Sequence, residues 1–409
     1  MVSLSEAQAQ DWRAATAAQI TDWRQRHQAV QIQGHGSKAF YGQPVDAALP
    51  VLSTRDYTGV VAYDPSELVV VARAGTPLSA LEKVLADQQQ RLAFEPPRFS
   101  GQGTVGGMVA SGLSGPGRLS AGPCKDYVLG LSVMNGEGSL LRFGGTVMKN
   151  VAGYDISRLH TGAMGILGLI LEVSLKVLPE PAAQRSIALA CTCAQGIAWA
   201  DQWLSEPLPI SATAWVEDVS AVEDPEGPGS NRGAASQPSA GGAGGGAEGL
   251  LVVRFAGAKA AVDSAVERFQ TAYGARPLEA TQASSFWTHL RDQSHGFFSA
   301  SQENPAVRLW RLSVPAQTAD LSGEIPGRSL LEWGGALRWV WTDRPAEAVR
   351  AAAQAVGGHA SLYRAATLDR QEVGCQSPLS PVLASLHRRI KAELDPHGLF
   401  NPGRLVAGL

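Results

Sequence analysis

Two glycine-rich stretches, QGHGSK at residues 33–38 and GQGTVGGMVASG at residues 101–112, are the most informative parts of this sequence. Glycine lets main-chain amides approach a ligand closely and adopts positive φ without steric cost. Runs of such amides form concave nests that bind phosphate. Residues 29–33 favour a short strand, so the first stretch follows a strand, as a phosphate nest should. Taken alone, it is equally typical of a tight turn.

The second stretch combines small residues with few charges, and a flat aromatic ring can lie directly on such a backbone. Glycines kept for packing in a sheet-edge loop are the alternative explanation. Together the two stretches indicate one long ligand, with a pyrophosphate at the first loop and a flat ring at the second. A flavin dinucleotide has that shape.

A third stretch, residues 149–155 followed by 162–168, places Gly165 and Gly168 just before a long apolar strand. Glycine at such positions permits close packing of one backbone against another. By itself this pattern is more typical of turns that stabilise a fold than of a ligand site.

The bulk composition excludes several classes of protein. The chain has 409 residues, 44% hydrophobic and 17% charged, which predicts a packed globular protein of two or three domains. A net charge of −3 gives no support for binding to nucleic acid, which needs a basic face. Four cysteines without CxxC or zinc spacing, and no Cys/His cluster, predict that no metal is bound.

The sequence also carries no signal for export or membrane insertion. No basic segment followed by an apolar segment begins it, and no run of about 18 apolar residues occurs. We therefore expect a cytoplasmic protein, whose attachment to the inner membrane, if it has one, is made through partners.

Element signals divide the chain into three parts. Strands, helices and the glycine stretches occupy residues 1–180, alternating strands and helices follow over 181–375, and an amphipathic helix with Ser380 as N-cap lies within 376–409. Residues 224–249 are almost entirely Pro, Gly, Ser, Ala and Asn. Because such a segment buries little apolar surface, we expect a disordered surface loop there.

Local signals predict individual elements in the first part. Residues 68–74 are a near-continuous apolar run, typical of a buried strand. Thr76 is a candidate N-cap with Pro77 at the first helical position. NGEG at residues 135–138 indicates a hairpin between two strands. The second glycine stretch, 101–112, is interpreted as a loop.

Two strands in the second part carry arginines, Arg308 and Arg311 in one and Arg338 in the other. An arginine can hold a carboxylate through two parallel hydrogen bonds. We favour the simpler interpretation of an arginine at a solvated sheet face or domain interface. Among the histidines, His35 is the one expected near a ligand, because it lies within the first glycine loop.

Several motifs in register carry a resemblance to a known family: residues 33–38, 66–77, 92–97, 106–116, 142–155 and 400–404. Together they resemble the FAD-binding domain of the vanillyl-alcohol oxidase/PCMH flavoprotein superfamily. Within that superfamily they are more closely similar to the FAD-binding E subunits of bacterial glycolate oxidases (glycolate dehydrogenases). The similarity is strong over 28–180, looser over 181–375 and clear again at 383–404.

The resemblance implies an α+β fold with three parts. A PCMH-type FAD-binding domain of two subdomains takes 1–180, and a smaller α+β cap domain takes 181–375 and includes the expected loop at 224–249. A C-terminal helical segment at 376–409 packs on the FAD domain. The resemblance also implies three groups of FAD-binding residues. The pyrophosphate is cradled by Gln33, Gly34, His35, Gly36, Ser37 and Lys38. The isoalloxazine is lined by Gly103, Thr104, Gly106, Gly107, Ala110, Ser111 and Gly112, and the adenine–ribose end and inner flavin are contacted by Gly162, Gly165, Ile166 and Gly168.

The resemblance further implies an activity and partners. The complex oxidises glycolate to glyoxylate, with hydride transfer from the α-carbon to flavin N5 and electrons passed to an iron–sulfur partner subunit. A larger flavin subunit is the other implied partner, and a small hydroxy acid is the implied substrate. In many relatives with a histidyl-flavin bond, the histidine holds the third position of the loop triplet, which here is Gly36. Non-covalent FAD is therefore expected.

Catalytic residues are not assigned by the sequence. The larger flavin subunit carries a His-x-Gly-Asp-Gly-Asn-x-His type motif, whereas this chain has only GGHASLY at residues 357–363 in the comparable stretch. A base that takes a proton from a hydroxy acid is thus not evident. Two alternatives stay open: a stand-alone FAD-dependent oxidoreductase acting on another 2-hydroxy acid or alcohol, and a non-catalytic electron-relay or scaffold subunit.

Overall fold

A computed structural model of the chain describes residues 3–99, 101, 103–146, 155–217, 248–299 and 306–409. Two predictions concern segments that are partly outside the described residues. Of the expected disordered loop at 224–249, residues 224–247 lie outside them. Of the third stretch, residues 149–154 lie outside them. Glu248 and Gly249, which we expected in that loop, are instead the first residues of a strand, because they pair with Thr192 and Cys191 of a neighbouring strand.

The elements follow one another as a mixture of helices and strands. The helices are α1 (Glu6–Gln25), α2 (Leu78–Ala86), α3 (Val105–Ser111), α4 (Arg118–Ala121), α5 (Ile156–His160), α6 (Cys193–Leu204), α7 (Lys259–Tyr273), α8 (Ala280–Asp292), α9 (Ala346–Ala355), α10 (Thr367–Val373) and α11 (Pro381–Leu394). The strands are β1 (Gln31–Gln33), β2 (Val51–Ser53), β3 (Val60–Asp64), β4 (Val69–Arg73), β5 (Gln90–Arg91), β6 (Val128–Met134), β7 (Leu140–Gly144), β8 (Leu169–Lys176), β9 (Leu178–Pro179), β10 (Ala183–Thr192), β11 (Ile210–Val216), β12 (Glu248–Gly257), β13 (Arg276–Pro277), β14 (Arg308–Ser313), β15 (Arg328–Glu332), β16 (Leu337–Thr342) and β17 (His359–Arg364). The predicted α+β class is confirmed.

Contacts between residues separate the chain into two compact units. The first unit comprises the described residues within 1–114, 123–180 and 367–409, and the second comprises those within 115–122 and 181–366. The expected domains differ from these units at 115–122 and at 367–375. The latter residues contain α10, which belongs with the first unit because Arg370 donates hydrogen bonds to the carbonyls of Ala39 and Gly42. The three-part domain organisation stays a prediction.

The first unit contains a five-stranded antiparallel sheet in the order β3-β4-β8-β6-β7. The apolar strand β4 is paired on both sides, by β3 and β8, as its buried sequence predicts. The predicted hairpin joins β6 and β7. Its turn is held by Asn135, whose side-chain oxygen accepts hydrogen bonds from the amides of Glu137 (3.1 Å) and Ser139 (2.9 Å).

A second, two-stranded sheet delivers the first glycine stretch. Strands β1 and β2 pair in parallel, and β1 leads directly into residues 33–38. On its other side the chain at Val30 forms a parallel bridge with Phe400, near the end of the sequence. Val30 and Phe400 are both fully buried in one apolar cluster. The C-terminal residues therefore lie beside the first glycine stretch.

The second glycine stretch forms a helix rather than the expected loop. The Thr104 hydroxyl caps α3 by accepting a hydrogen bond from the amide of Gly107 at 3.2 Å, an arrangement worth about 1 kcal/mol. Gly112, with φ of +62°, ends it in the left-handed conformation. Gly106 lets the helix touch the end of β4, since a Cβ there would lie 2.7 Å from Cβ of Ala74.

The predicted cap of α2 is also wrong. Pro77, not Thr76, precedes the first helical residue, and no side chain caps the helix. The Thr76 hydroxyl instead accepts a hydrogen bond from the amide of Gly59 (2.9 Å) and donates one to its carbonyl (3.2 Å). Thr76 is buried at this contact, so its side chain links two loops of the sheet.

The second unit is built on one antiparallel sheet of eight strands, in the order β13-β10-β12-β11-β15-β16-β14-β17. Helices α6 and α7 contribute Trp203 and Phe269 to the apolar cluster that covers β10 and β12. These rings meet edge to face at 4.6 Å between centroids, a preferred geometry for aromatic pairs.

Candidate functional site

Two adjoining hollows in the first unit collect most of the residues that the sequence singles out. The larger has about 650 Å³ of empty space, part of it open to solvent, and is lined by residues 33–38, by α3 and by residues near the C-terminus. The smaller has about 410 Å³ of such space. They share a wall and form one trough, the glycine groove, through Ile32, Gly34, Gly107, Ala110, Met164 and Asn401.

The first glycine stretch lines this groove with open main-chain donors. The amides of Gly34, Gly36, Ser37 and Lys38 meet no acceptor in the part of the chain that the structure describes. Gly36 adopts φ of +75°, a conformation that favours glycine. Successive open N–H groups in a glycine-containing loop are typical of an anion-binding nest.

The second glycine stretch differs, because its amides are already used. The amide of Val105 donates to the Thr76 carbonyl (2.9 Å) and that of Gly106 to the Ala74 carbonyl (2.8 Å). The next two amides of α3 donate to Thr104, which supplies its hydroxyl and its carbonyl. What α3 presents to the groove is a surface of small residues: Gly107, Ala110 and Ser111. Such a surface suits contact with a flat group.

The third stretch packs against the end of α3. The amides of Gly162 and Met164 donate to the carbonyls of Val109 (2.9 Å) and Ala110 (2.8 Å), which satisfies acceptors that a helix end leaves open. Met164 lines both hollows, and Gly165 and Gly168 line the smaller one. The loop is thus a wall of the groove.

Most of the predicted site residues lie in the walls of the groove, and four lie outside them: Gly103, Gly112, Gly162 and Ile166. These four support the walls. The Gly103 carbonyl accepts from the amide of Leu78 at 2.8 Å. A Cβ on Gly112 would lie 3.0 Å from Cα of Gly162. Ile166 is buried, and its carbonyl accepts a hydrogen bond from Lys391 at 2.6 Å.

Two groove residues near the C-terminus, Asn401 and Arg404, were not predicted. The Asn401 side chain accepts from the amide of Ile32 and donates to the carbonyl of Met164, both at 2.7 Å. It therefore ties the start of the first stretch to the third. The one sequence feature that points to these two residues is the family motif FNPGR at residues 400–404. The motif does not indicate which residues the side chains of Asn401 and Arg404 contact.

Arg404 holds the far side of the first glycine stretch. Its guanidinium donates to the carbonyls of Gln43 (2.7 Å), Lys38 (3.0 Å) and Ala39 (3.2 Å). Arg370 adds hydrogen bonds to the carbonyls of Gly42 and Ala39. Two cations from the end of the chain thus fix the loop that carries the open amides.

These cations have no acidic partner among the residues that the structure describes. Across the described ranges, no carboxylate pairs with Lys38, Arg370 or Arg404. Burial, aided by the nearby Arg370, lowers the pKa of Arg404 to about 10. Burial lowers the pKa of Lys38 to about 8, and its ammonium lies 5.3 Å from the centroid of the Phe99 ring. One end of the groove therefore combines positive charge with open amides, the donor set of an anion site.

The groove is poor in groups for acid–base or nucleophilic chemistry. His35 and Lys38 line it, but no carboxylate does among the residues described. The buried thiol of Cys124 has its pKa raised to about 12 by desolvation, so it is not a reactive thiolate. No set of three or more His, Cys, Asp or Glu side chains within the described residues is arranged to hold a metal ion.

The arginine strands lie in the second unit. Arg338 is buried and donates to the main-chain carbonyls of Gly335 (3.0 Å), Ala319 (2.7 Å) and Thr318. This is a structural role, but Arg338 is 3% exposed and therefore does not lie at the solvated sheet face that the simpler interpretation predicts. Arg311 lies against the rings of Trp333 and Trp339, with centroids 5.5 and 5.8 Å from its guanidinium carbon.

Comparison with known proteins identifies the family. The FAD binding domain family matches residues 13–144, and the C-terminal domain of FAD linked oxidases matches residues 375–405. The chain is 37% identical to glycolate oxidase subunit GlcE of Escherichia coli (strain K12), over 98% of this chain and 99% of that protein. The chain belongs to the FAD-linked oxidase family. It is an FAD-dependent oxidoreductase, and FAD is its cofactor.

Solved structures agree with this assignment at the level of the fold. A 4-ethylphenol oxidase from Gulosibacter chungangensis matches with a TM-score of 0.69 at 16% identity, over 96% of this chain and 87% of its own. A p-cresol methylhydroxylase matches with a TM-score of 0.68 at 15% identity, over the same shares of the two chains. The PCMH-type fold predicted for this FAD-linked oxidase is therefore confirmed.

The glycine groove fits FAD chemically. FAD joins a doubly charged pyrophosphate to a flat ring, and the groove offers open amides with unpaired cations at one end and a small-residue helix face along its wall.

Within the described ranges of this FAD-linked oxidase, no helix is both long and apolar enough to span a bilayer.

Proposed function

We propose that this FAD-linked oxidase is the FAD-binding subunit of a glycolate oxidase (glycolate dehydrogenase) complex. One observation carries the proposal: open amides, unpaired cations and a small-residue helix face line one groove in a chain that matches a glycolate oxidase subunit along almost its entire length. The larger flavin subunit and an iron–sulfur subunit are the proposed partners. A cytoplasmic location, peripheral to the inner membrane through those partners, belongs to the same proposal.

The site residues are proposed in three groups, as the sequence indicates. The amides of residues 33–38 hold the pyrophosphate, with Lys38 and Arg404 supplying positive charge. The face of α3 formed by Gly107, Ala110 and Ser111 lies against the isoalloxazine. Gly165 and Gly168 let the flavin approach the backbone of the third stretch. Asn401 joins the proposed set because it ties these walls together.

Held by these residues, FAD would supply the two-electron oxidant, a hydride acceptor at N5, for the conversion of glycolate to glyoxylate. The chain's own residues bind and orient the flavin and exclude water from it. No carboxylate of the described residues lines the groove to take the hydroxyl proton of glycolate. We therefore propose that this chain needs its partner subunits for turnover, and that electrons leave through the iron–sulfur subunit.

The groove has no carboxylate among the described residues, and this also favours a second candidate, an electron-relay subunit. In that case the chain holds FAD but glycolate is oxidised on the larger flavin subunit. A stand-alone oxidoreductase acting on another 2-hydroxy acid or alcohol is the remaining alternative, and it requires a proton-accepting group at the flavin.

The test uses the full-length chain, purified alone and together with both partner subunits. We expect a yellow chain whose flavin moves entirely to the supernatant on acid precipitation, which indicates non-covalent FAD. We expect negligible glycolate-dependent dye reduction by the chain alone and robust reduction by the complex. Replacing FAD-site residues of this chain then separates the two candidates in which its FAD takes part in turnover from a scaffold without a redox role.

In that comparison, loss of glycolate turnover by a complex containing the Arg404→Ala variant supports a redox role for this subunit. Unchanged turnover by a flavin-depleted variant complex would reduce the chain to a scaffold. Dye reduction with glycolate by the chain alone would contradict the dependence on partners, and colourless purified protein that takes up no added FAD would contradict the whole proposal.

A further inference from the structure

Arg311 on β14 has a guanidinium that the fold positions but does not use. The group lies against the indole rings of Trp333 and Trp339, and it makes no hydrogen bond or ion pair with any residue that the structure describes. Arg311 is half-buried in the second unit. A guanidinium carries five N–H donors in a planar fork, so all of them are left to solvent or to a ligand.

Two arginines on the adjacent strands show how a structural arginine is used in this sheet. Arg338 on β16 donates to three main-chain carbonyls. Arg364 on β17 donates to the carbonyl of Phe298 at 3.0 Å and to the side chain of Gln293 at 3.1 Å. Support of the fold therefore explains Arg338 and Arg364, but it does not explain the open donors of Arg311.

The two rings beside Arg311 are fixed by hydrogen bonds of their own. The indole N–H of Trp333 donates to the carbonyl of Gly115 at 3.0 Å. That of Trp339 donates to the carboxylate of Glu332 at 2.8 Å. Both tryptophans are buried. Because their N–H groups are engaged elsewhere, the rings attract the guanidinium through their π surfaces and leave its donors open.

The backbone that carries Trp333 is strained. Trp333 has φ of +55°, and Gly334 and Gly335 follow at +67° and +90°. Left-handed backbone is a genuine outlier for a residue as bulky as tryptophan, and such outliers collect at ligand sites, where the surrounding structure holds them. Here the amide of Gly334 donates to the hydroxyl of Thr213 at 2.8 Å. The fold thus maintains an unfavourable conformation at a residue whose ring Arg311 contacts.

The surroundings of Arg311 are positively charged. The guanidinium of Arg118 lies 4.2 Å from the centroid of the Trp333 ring. Burial, and then the charge of Arg311, lowers the pKa of His359 on β17. A positive field of this kind favours an anionic ligand.

A carboxylate is the anion that suits Arg311 best. The planar fork of a guanidinium matches the two oxygens of a carboxylate and forms two parallel hydrogen bonds with them. A phosphate has further oxygens that need donors, whereas the indole N–H groups beside Arg311 are already used. Aromatic surface next to the fork also suits an organic acid better than an inorganic anion.

We propose that Arg311 binds the carboxylate of a small 2-hydroxy acid such as glycolate, with its guanidinium held in position by Trp333 and Trp339. The identity of the acid rests on the proposed function. The inference gives this chain a residue that recognises the substrate, which favours the first candidate function over an electron relay.

The experiment measures the binding of glycolate, and of its uncharged analogue glycolamide, to the full FAD-loaded chain by ligand-observed NMR titration. We expect the wild type to bind glycolate at least about tenfold more tightly than glycolamide, because only glycolate offers a carboxylate. Arg311→Met, which keeps an apolar stem against the rings, should bind the two molecules equally. Arg311→Lys should keep part of the preference, because lysine keeps the charge but not the fork.

The matched control is Arg185→Met, at an exposed position on β10, which should retain the wild-type preference. FAD content and melting temperature should be unchanged in all variants. Should Arg311→Met lose FAD, Arg311→Lys carries the test, with a preference reduced at least about threefold.

The ratio of the two affinities decides the outcome. A ratio in the Arg311 variants that stays at the wild-type value would overturn the inference, whether both affinities hold or fall together, since a structural residue affects both ligands alike. So would a wild type that binds neither molecule, or that binds inorganic phosphate more tightly than glycolate. Each of these results leaves the proposed function intact as long as the assembled complex reduces dye with glycolate, whereas an FAD-loaded complex without that turnover would contradict the proposed function itself.

Discussion

The two glycine-rich stretches have similar compositions but opposite hydrogen-bonding states. Residues 33–38 leave the amides of Gly34, Gly36, Ser37 and Lys38 without acceptors in the described chain. The first amides of α3, by contrast, are all used within the fold. In the first stretch glycine leaves backbone amides open to a ligand, and in the second it allows close packing. A glycine-rich sequence therefore does not by itself say which part of a ligand it meets.

This difference has an energetic consequence. Open amides in a partly buried groove carry an unmet hydrogen-bonding cost of about 1–3 kcal/mol per group when water is excluded. A bound anion removes that cost. The first stretch should consequently depend on FAD for its stability, whereas α3 should be nearly as stable without it.

The largest effect is expected from Gly106→Ala, which disturbs the packing of α3 in the second glycine stretch. The new Cβ would lie 2.7 Å from Cβ of Ala74 and 3.1 Å from its carbonyl oxygen, and both belong to a buried backbone segment. We expect the free energy of unfolding, measured by urea titration, to fall by about 3 kcal/mol, with loss of FAD. Gly145→Ala is the control, because a Cβ there meets no atom within 4 Å. Equal stability of the two variants would show that α3 is not packed as described.

The next largest effect is expected from Arg404→Ala, which attacks the open stretch. The substitution removes hydrogen bonds to the carbonyls of Lys38, Ala39 and Gln43, together with a positive charge. We expect the Kd for FAD to rise about 30-fold, equivalent to about 2 kcal/mol. Fluorescence titration of the flavin-free protein measures it. Arg404→Lys should recover only part of the loss, because lysine cannot hold three carbonyls at once.

The control for this prediction is Arg55→Ala at an exposed position. If Arg404→Ala binds FAD as tightly as that control does, the cations at the first stretch are not part of the site.

A smaller effect is expected from Asn401→Ala, which loosens the tie between the two sides of the groove. Ile32 then loses an acceptor for its amide and Met164 loses a donor for its carbonyl. We expect about 1.5 kcal/mol less stability and weaker FAD binding. Asn401→Asp should lose at least as much, because it keeps the acceptor for Ile32 but places a buried carboxylate oxygen against the carbonyl of Met164. An Asp variant as stable as the wild type would contradict the donor role of Asn401.

The smallest effect is a pH dependence through Lys38. Its pKa is lowered to about 8 by burial in the FAD-free protein, and a pyrophosphate beside it would raise that pKa. The bound state then keeps a proton that the free state loses, so affinity is full below pH 8 and falls as the pH rises above it. We expect less than a tenfold rise in Kd between pH 7.5 and about 9.

Lys38→Met should remove this pH dependence, and Lys83→Met, at an exposed position on α2, should retain it. If the Kd for FAD of Lys38→Met still rises with pH, another group is responsible for the pH dependence.

The sequence predicted the parts of the fold that depend on local patterns. The buried strand β4, the Asn135 hairpin and the Ser380 cap of α11 all follow from neighbouring residues. Thr76 was misplaced because its hydroxyl binds Gly59, a contact between loops that competes with helix capping. Helix α3 was missed because glycines lower helix propensity, while packing on Ala74 and the Thr104 cap outweigh it.

The site was predicted to a similar depth. Residues 33–38 stand out because glycine follows a strand there, but the roles of Asn401 and Arg404 depend on contacts that span more than three-quarters of the chain. No spacing rule links positions so far apart. Lys38 was included as a loop residue, while its lowered pKa depends on burial that only the folded chain provides.

The most direct test of the account is amide hydrogen exchange of the full chain with and without FAD, followed by peptides that cover residues 33–38 and 104–111. We expect strong slowing of exchange at Gly34, Gly36, Ser37 and Lys38 when FAD is added, and little change at the first amides of α3. Unchanged exchange in the first stretch, with new protection confined to α3, would contradict it.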